Sequence, residues 1–131
     1  MDSPDDSPDP DIDLILRAYR AFAAGDIAAA VADLHPDVEW IEPDTFPHGG
    51  RHQGAAAVAA YLTASYETWS HLVSEPTAYR RGADIVVVHH VRGTLRDGTP
   101  HEATVADVFT VAGGQVVRMR AYASPAELPG A

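Results

Sequence analysis

The 131-residue sequence contains no cysteine, no lysine and no asparagine. Without cysteine there is no disulfide framework, no thiolate nucleophile and no cysteine-ligated zinc. No apolar run approaches the roughly 18–20 residues that a membrane span requires. The N-terminus lacks the basic and apolar regions of a secretory signal, which makes the cytoplasm the default expectation. Also missing are G-x-S-x-G, the phosphate-loop and dinucleotide fingerprints, and H-E-x-x-H. These absences leave no motif for nucleophilic triads, phosphate binding or metal ligation, so neither a cofactor nor a metal is expected.

Positive charge is scarce. Nine basic residues, all arginine, oppose nineteen acidic ones, for a net charge of −10. Four of those acids (Asp2, Asp5, Asp6 and Asp9) lie in "MDSPDDSPDP", and without them the remainder still carries −6. Nucleic-acid affinity rests largely on neutralising phosphates, so this balance argues against such a partner. The missing Lys and Asn beside abundant Ala read as a coding bias without functional content.

What is present is an ordinary 46% of hydrophobic residues, enough for one domain with a core. Residues 1–10 read as a disordered acidic tail, 11–124 as the single domain and 125–131 as a C-terminal tail. In "DIDLILRAYRAFAAGD", Ile12, Ile15, Leu16, Tyr19 and Phe22 keep the spacing of an amphipathic helix. Asp11 or Asp13 is placed to cap it and Gly25 to stop it. Asp26 is placed to cap a second helix, "IAAAVADLH", which ends before Pro36.

"VEWIEP" then reads as a strand, "TFPHGGRHQG" as a loop, and "AAAVAAYLTASYETW" as a third helix with Val58, Tyr61, Leu62 and Tyr66 on one side. Four strands follow, at about 71–79 and in "ADIVVVHHVRGTL", "HEATVADVFTV" and "QVVRMRAYAS", separated by turn chemistry. The order α-α-β-α-β-β-β-β indicates an α+β domain with a mostly antiparallel sheet.

Two carboxyls stand in unexpected places. Side chains alternate along a strand, so Trp40, Glu42 and Asp44 share one face of the first strand, opposite Glu39 and Ile41. Asp44 enters the loop and reads as a solvated turn acid, whereas Glu42 lies deeper beside the tryptophan. Asp107 sits between Val105 and Phe109 on one face, with Ala106 and Val108 on the other. A carboxyl in such apolar surroundings tends to stay protonated. Two carboxyls with different environments can divide acid and base roles. Of the histidines, His48 and His52 flank a loop, and His89 and His90 point to opposite faces of one strand. One of that pair is expected to face the interior, where it or His101 could shuttle a proton.

Three segments, "YRAFAAGDIAAAVADLHPDVEWIEP", "GRHQGAAAVAAYL" and "DVFTVAGGQVVRMRAY", in this order and spacing resemble the nuclear transport factor 2-like superfamily. More narrowly, residues 12–123 are similar to ketosteroid isomerase and the SnoaL-like polyketide cyclases. The resemblance implies a cone-shaped, curved, mostly antiparallel sheet wrapped by three helices around an internal apolar pocket, commonly in a homodimer. "WIEP" resembles the isomerase segment that carries the general base, which places Glu42 there. "ADVFTV" resembles the segment whose aspartic acid, a carboxyl of raised pKa in the isomerase, donates to the developing oxyanion; Asp107 falls there.

The isomerase's helical tyrosines align near Ala18 and Leu62, with Tyr19 and Tyr61 adjacent and Tyr122 a further substitute. Val105 stands where limonene-epoxide-hydrolase relatives have an arginine, which disfavours that chemistry. Scytalone-dehydratase-like members use histidines with an aspartate, which His89 or His90 could mimic.

The expectation is therefore an enzyme that works without a metal, through an enolate of a small hydrophobic polyketide- or steroid-like carbonyl compound, as an isomerase or aldol-type cyclase. Glu42 would act as base and protonated Asp107 as donor. Trp40, Phe22, Tyr19, Tyr61, His90, Val105, Phe109 and Met119 are expected around the substrate. The alternatives are a non-catalytic ligand-binding or dimerisation module of the same fold, and a dehydratase using an interior histidine.

Overall fold

The structure, a computed structural model, describes residues 9–130. Helix α1 spans Pro10–Ala23, and its cap is Asp9, whose carboxylate accepts from the backbone N–H groups of Asp11 and Ile12. This corrects the expected cap at Asp11 or Asp13. Proline is well placed in the first turn, where its missing N–H has no helical partner to lose. Of the segment expected to be a disordered tail, Asp9 and Pro10 thus belong to the helix start, and residues 1–8 lie outside the described residues. Arg80 holds this end down, meeting Asp9 at 2.8 Å and Asp11 at 2.9 Å.

Helix α2 is a single turn, Ile27–Ala30, capped by Asp26. The expected continuation to Pro36 does not form. Strand β1, Leu34–Glu42, begins inside it because Leu34 pairs with Val116, and Val116 donates to the Asp33 carbonyl at 2.9 Å. The expected loop after β1 also contains a strand, β2, Gly50–Gln53. Its polar side chains give little strand signal, but the free edge of β1 supplies the ladder, from Glu39 opposite Gln53 to Glu42 opposite Gly50.

Helix α3, Ala55–Thr68, precedes four long strands: β3 (Trp69–Arg81), β4 (Asp84–Leu95), β5 (Pro100–Ala112) and β6 (Gln115–Tyr122). The sheet order is β2-β1-β6-β5-β4-β3. All pairings are antiparallel except β1 with β6, so the sheet is mixed, and both its edges stay open. Pro76 is tolerated in β3 because that strand is an edge.

Register shifts at Trp69/His71 and Thr110/Val111 add local twist to the long strands. In β4, Gly93 lets the backbone of β3 approach closely: an added Cβ would lie 2.7 Å from the His71 carbonyl oxygen. The result is a curved, unclosed α+β sheet with the helices on one face. Ile15 of α1, Val58 of α3, and Val38, Val87 and Met119 of the sheet fill the core between them. The C-terminal segment is more than a tail: after a short 3-10 turn, Pro125–Glu127, Leu128 packs on Val86 and Ala106 across the sheet's other face. No helix among the described residues is long and apolar enough to cross a membrane.

Candidate functional site

Between the helices and the curved sheet lies a cavity of about 350 Å³. Its walls take all three phenylalanines, both tryptophans and three of the five tyrosines in the sequence (Tyr19, Tyr61 and Tyr66). The alternation of β1 explains the floor, because Trp40 and Glu42 fall on the buried face while Glu39 turns outward to Arg51 and Arg118. Edge-to-face contacts from Phe109 to Trp40 and to Tyr19, both at 6.1 Å between centroids, fix those rings.

Glu42 is a buried carboxyl, 9% exposed. The indole N–H of Trp40 donates to its Oε2 at 2.8 Å, and the Tyr61 hydroxyl bonds to it from α3. Burial first, and then the charge of Asp107, push Glu42 up to about 8, against the lowering effect of those two donors. That shift favours the protonated form of Glu42 at neutral pH. Burial and the charge of Glu42 also raise the Tyr61 phenol, which stays a donor.

Asp107 faces the same cavity from β5, opposite Val87 of β4. Its Oδ2 accepts from the Tyr19 hydroxyl and lies 2.9 Å from Nε2 of His89. Burial, followed by the charge of Asp107, holds the Tyr19 phenol well above its ordinary range, so it too remains a donor. His89 in turn has its Nδ1 3.0 Å from the hydroxyl of Ser74 on β3. Two acids thus sit in one apolar chamber with unlike surroundings: burial favours the protonated form of Glu42, and Asp107 has its Oδ2 held by Tyr19 and His89.

Of the residues singled out in the sequence, Glu42, Asp107, Trp40, Phe22, Tyr19, Tyr61, Val105 and Phe109 all line the cavity. His90 does not. The strand alternation turns it to the opposite face, where it meets Glu102 at 2.8 Å and Thr104 at 3.0 Å; His89 is the inward histidine. Met119 is not a wall residue either: only 1% exposed, it is sealed in the core beside its strand neighbours Trp40 and Phe109. Tyr122, a candidate substitute phenol, packs with Val86 and Leu128 on the far face.

Sequence reasoning missed Ser74, although alternation in "HLVSEPT" places Leu72, Ser74 and Pro76 on one face. It also missed Phe46 and Pro47, apolar residues of the loop after β1 that reach the cavity. Among the described residues no group of three His, Asp or Glu side chains is placed to hold a metal ion.

A family model described as a SnoaL-like domain matches residues 15–119. An uncharacterized protein of Mycobacterium tuberculosis is 31% identical over 122 residues, 90% of this chain and 92% of its own length. The solved structure of TerC, co-crystallized with polyporic acid, has a TM-score of 0.78 at 25% identity, covering 90% of this chain and 94% of that one. A nuclear transport factor 2-like protein of unknown function from Burkholderia pseudomallei has a TM-score of 0.80 at 24% identity, over 92% of this chain and 95% of its own.

Proposed function

The chain belongs to the SnoaL-like domain family, and from that premise we propose that it is an acid–base enzyme acting through the enolate of a small hydrophobic carbonyl compound, polyketide- or steroid-like. One observation carries this reading: two carboxyls of unlike environment face a single aromatic-walled cavity. In it Asp107 removes a proton alpha to the carbonyl through its carboxylate, while Tyr19 and His89 hold that group in place. Glu42 donates its proton to the developing oxyanion, supported by Trp40 and Tyr61. Protonation of the enolate at a second carbon gives isomerisation; its attack on a second carbonyl gives aldol ring closure. Both outcomes share the same enolate.

Family resemblance supports a homodimer as the working form, and the lack of secretory-signal regions at the N-terminus supports the cytoplasm as its place. Light scattering of the purified chain tests the dimer.

The enzyme reading is tested by hydrogen–deuterium exchange at the alpha carbon of 1-tetralone. The wild type should accelerate exchange, and Asp107→Asn should lower the rate by roughly 10²–10⁴-fold. A wild type that binds the ketone without exchanging it would favour the second reading, a non-catalytic binding module, to which the ligand-bound TerC structure lends support. Exchange that survives in Asp107→Asn but collapses in His89→Gln would favour the histidine-based alternative.

A further inference from the structure

Ser74, His89 and Asp107 stand on three adjacent strands, β3, β4 and β5, and all three line the cavity. Both ring nitrogens of His89 are engaged, Nδ1 with Ser74 Oγ at 3.0 Å and Nε2 with Asp107 Oδ2 at 2.9 Å. A carboxylate only accepts, whereas a serine hydroxyl both donates and accepts. With Oδ2 already taking the Tyr19 hydroxyl, Nε2 must bring its own proton. In a neutral ring Nδ1 then holds the lone pair, and the Ser74 O–H is the group that fills it.

The other oxygen of Asp107 is left over. Oδ1 has no hydrogen-bond partner among the described residues, and no buried side-chain oxygen or nitrogen there lacks one. Oδ1 is therefore an accessible oxygen. We propose that Ser74 is a positioning residue that locks His89 in its Nε2–H tautomer, so that Oδ2 of Asp107 is occupied by two donors and Oδ1 is the basic oxygen presented to a ligand. The consequence for rate rests on the acid–base reading above; the tautomer does not. The polar and titratable groups around His89 are Ser74 from β3, Asp107 from β5 and Tyr19 from α1, whose ring lies 5.3 Å away, with Glu42 of β1 and Tyr61 of α3 lining the same cavity. Among the described residues the one guanidinium in the cavity wall is that of Arg20, which is exposed on α1.

The test is ¹⁵N NMR of the imidazoles in the full chain, without ligand, at neutral pH. The expected result is a protonated Nε2 and a bare Nδ1 for His89. Ser74→Ala should shift this pattern toward a mixture of tautomers, and Ser74→Thr, which keeps the hydroxyl, should restore it. A wild-type ring protonated on Nδ1, alone or on both nitrogens, overturns the assignment, as does a Ser74→Ala spectrum identical to wild type. With 1-tetralone, Ser74→Ala should lower kcat about tenfold while KM holds, the scale of one neutral hydrogen bond. If the wild type fails to exchange 1-tetralone, the acid–base reading falls, and the NMR result still decides the tautomer.

Discussion

The indole N–H of Trp40 donates to the carboxyl of Glu42 at 2.8 Å, two residues along the same strand face. A strand places such neighbours side by side, so one tryptophan both desolvates the acid and supplies it with a partner. Desolvation wins, because the acid is raised despite this donor and the one from Tyr61.

That balance predicts how stability depends on pH. The folded state holds the Glu42 proton up to about 8, whereas the unfolded chain releases it near the ordinary 4.5. Between those values the native state binds more protons, so Glu42 destabilises the fold progressively as pH rises through the window. Each unit is worth about 1.4 kcal/mol, which makes the whole effect on the order of 5 kcal/mol. Glu42→Gln should therefore gain stability over wild type by roughly that amount between about pH 5 and about pH 9 in urea unfolding. A difference that does not change with pH would refute the burial argument.

The phenols should matter through their protons alone. Tyr19→Phe and Tyr61→Phe keep the ring packing but remove the donors to Asp107 and Glu42. A hydrogen bond to a charged group is worth about 1.5–3 kcal/mol and one to a neutral group about 0.5–1.5, so exchange of 1-tetralone should fall roughly 10- to 100-fold in Tyr19→Phe and about tenfold or less in Tyr61→Phe. Circular dichroism should match wild type. Full activity in both variants would remove the tyrosines from the mechanism.

Gly93→Ala should disturb the bend of the sheet. Its methyl would sit 2.7 Å from the His71 carbonyl and 2.9 Å from the Trp69 ring, and the carbonyl belongs to a paired strand that cannot move alone. A loss of about 1–3 kcal/mol is expected, read as a lower urea midpoint. An unchanged midpoint would mean that β3 yields more easily than its pairing suggests.

At the N-terminus, Asp9→Ala removes both the helix cap and the Arg80 contact. It should cost about 1–2 kcal/mol, and Arg80→Ala, which leaves the cap in place, should cost less. Equal losses from the two variants would assign the effect to the ion pair.

The order of helices and long strands could be read from the sequence because their hydrophobic periods are strong. So could the shared face of Trp40 and Glu42, since strand alternation fixes faces before any tertiary contact is known; the direction of Asp107 could not, because Val105 and Phe109 on one face and Ala106 and Val108 on the other are all apolar. Strand β2 could not, because Gly-Arg-His-Gln becomes a strand only when the edge of β1 receives it. Helix α2 was overread for a related reason: the pairing of Leu34 with Val116 takes its last residues into the sheet. The hydrogen-bond partners of the two acids also lay beyond the sequence, since they come from other elements or depend on the side-chain positions of the folded state. Tyr19 and Asp107 are 88 positions apart, and nothing local announces that they meet.

The gathering of aromatic rings into the cavity has an optical consequence. Trp40 and Trp69 are the only tryptophans in the sequence, and both stand in its walls. The indole fluorescence of this protein therefore originates at the chamber and nowhere else, so an occupant can register as quenching or a spectral shift without any label being attached.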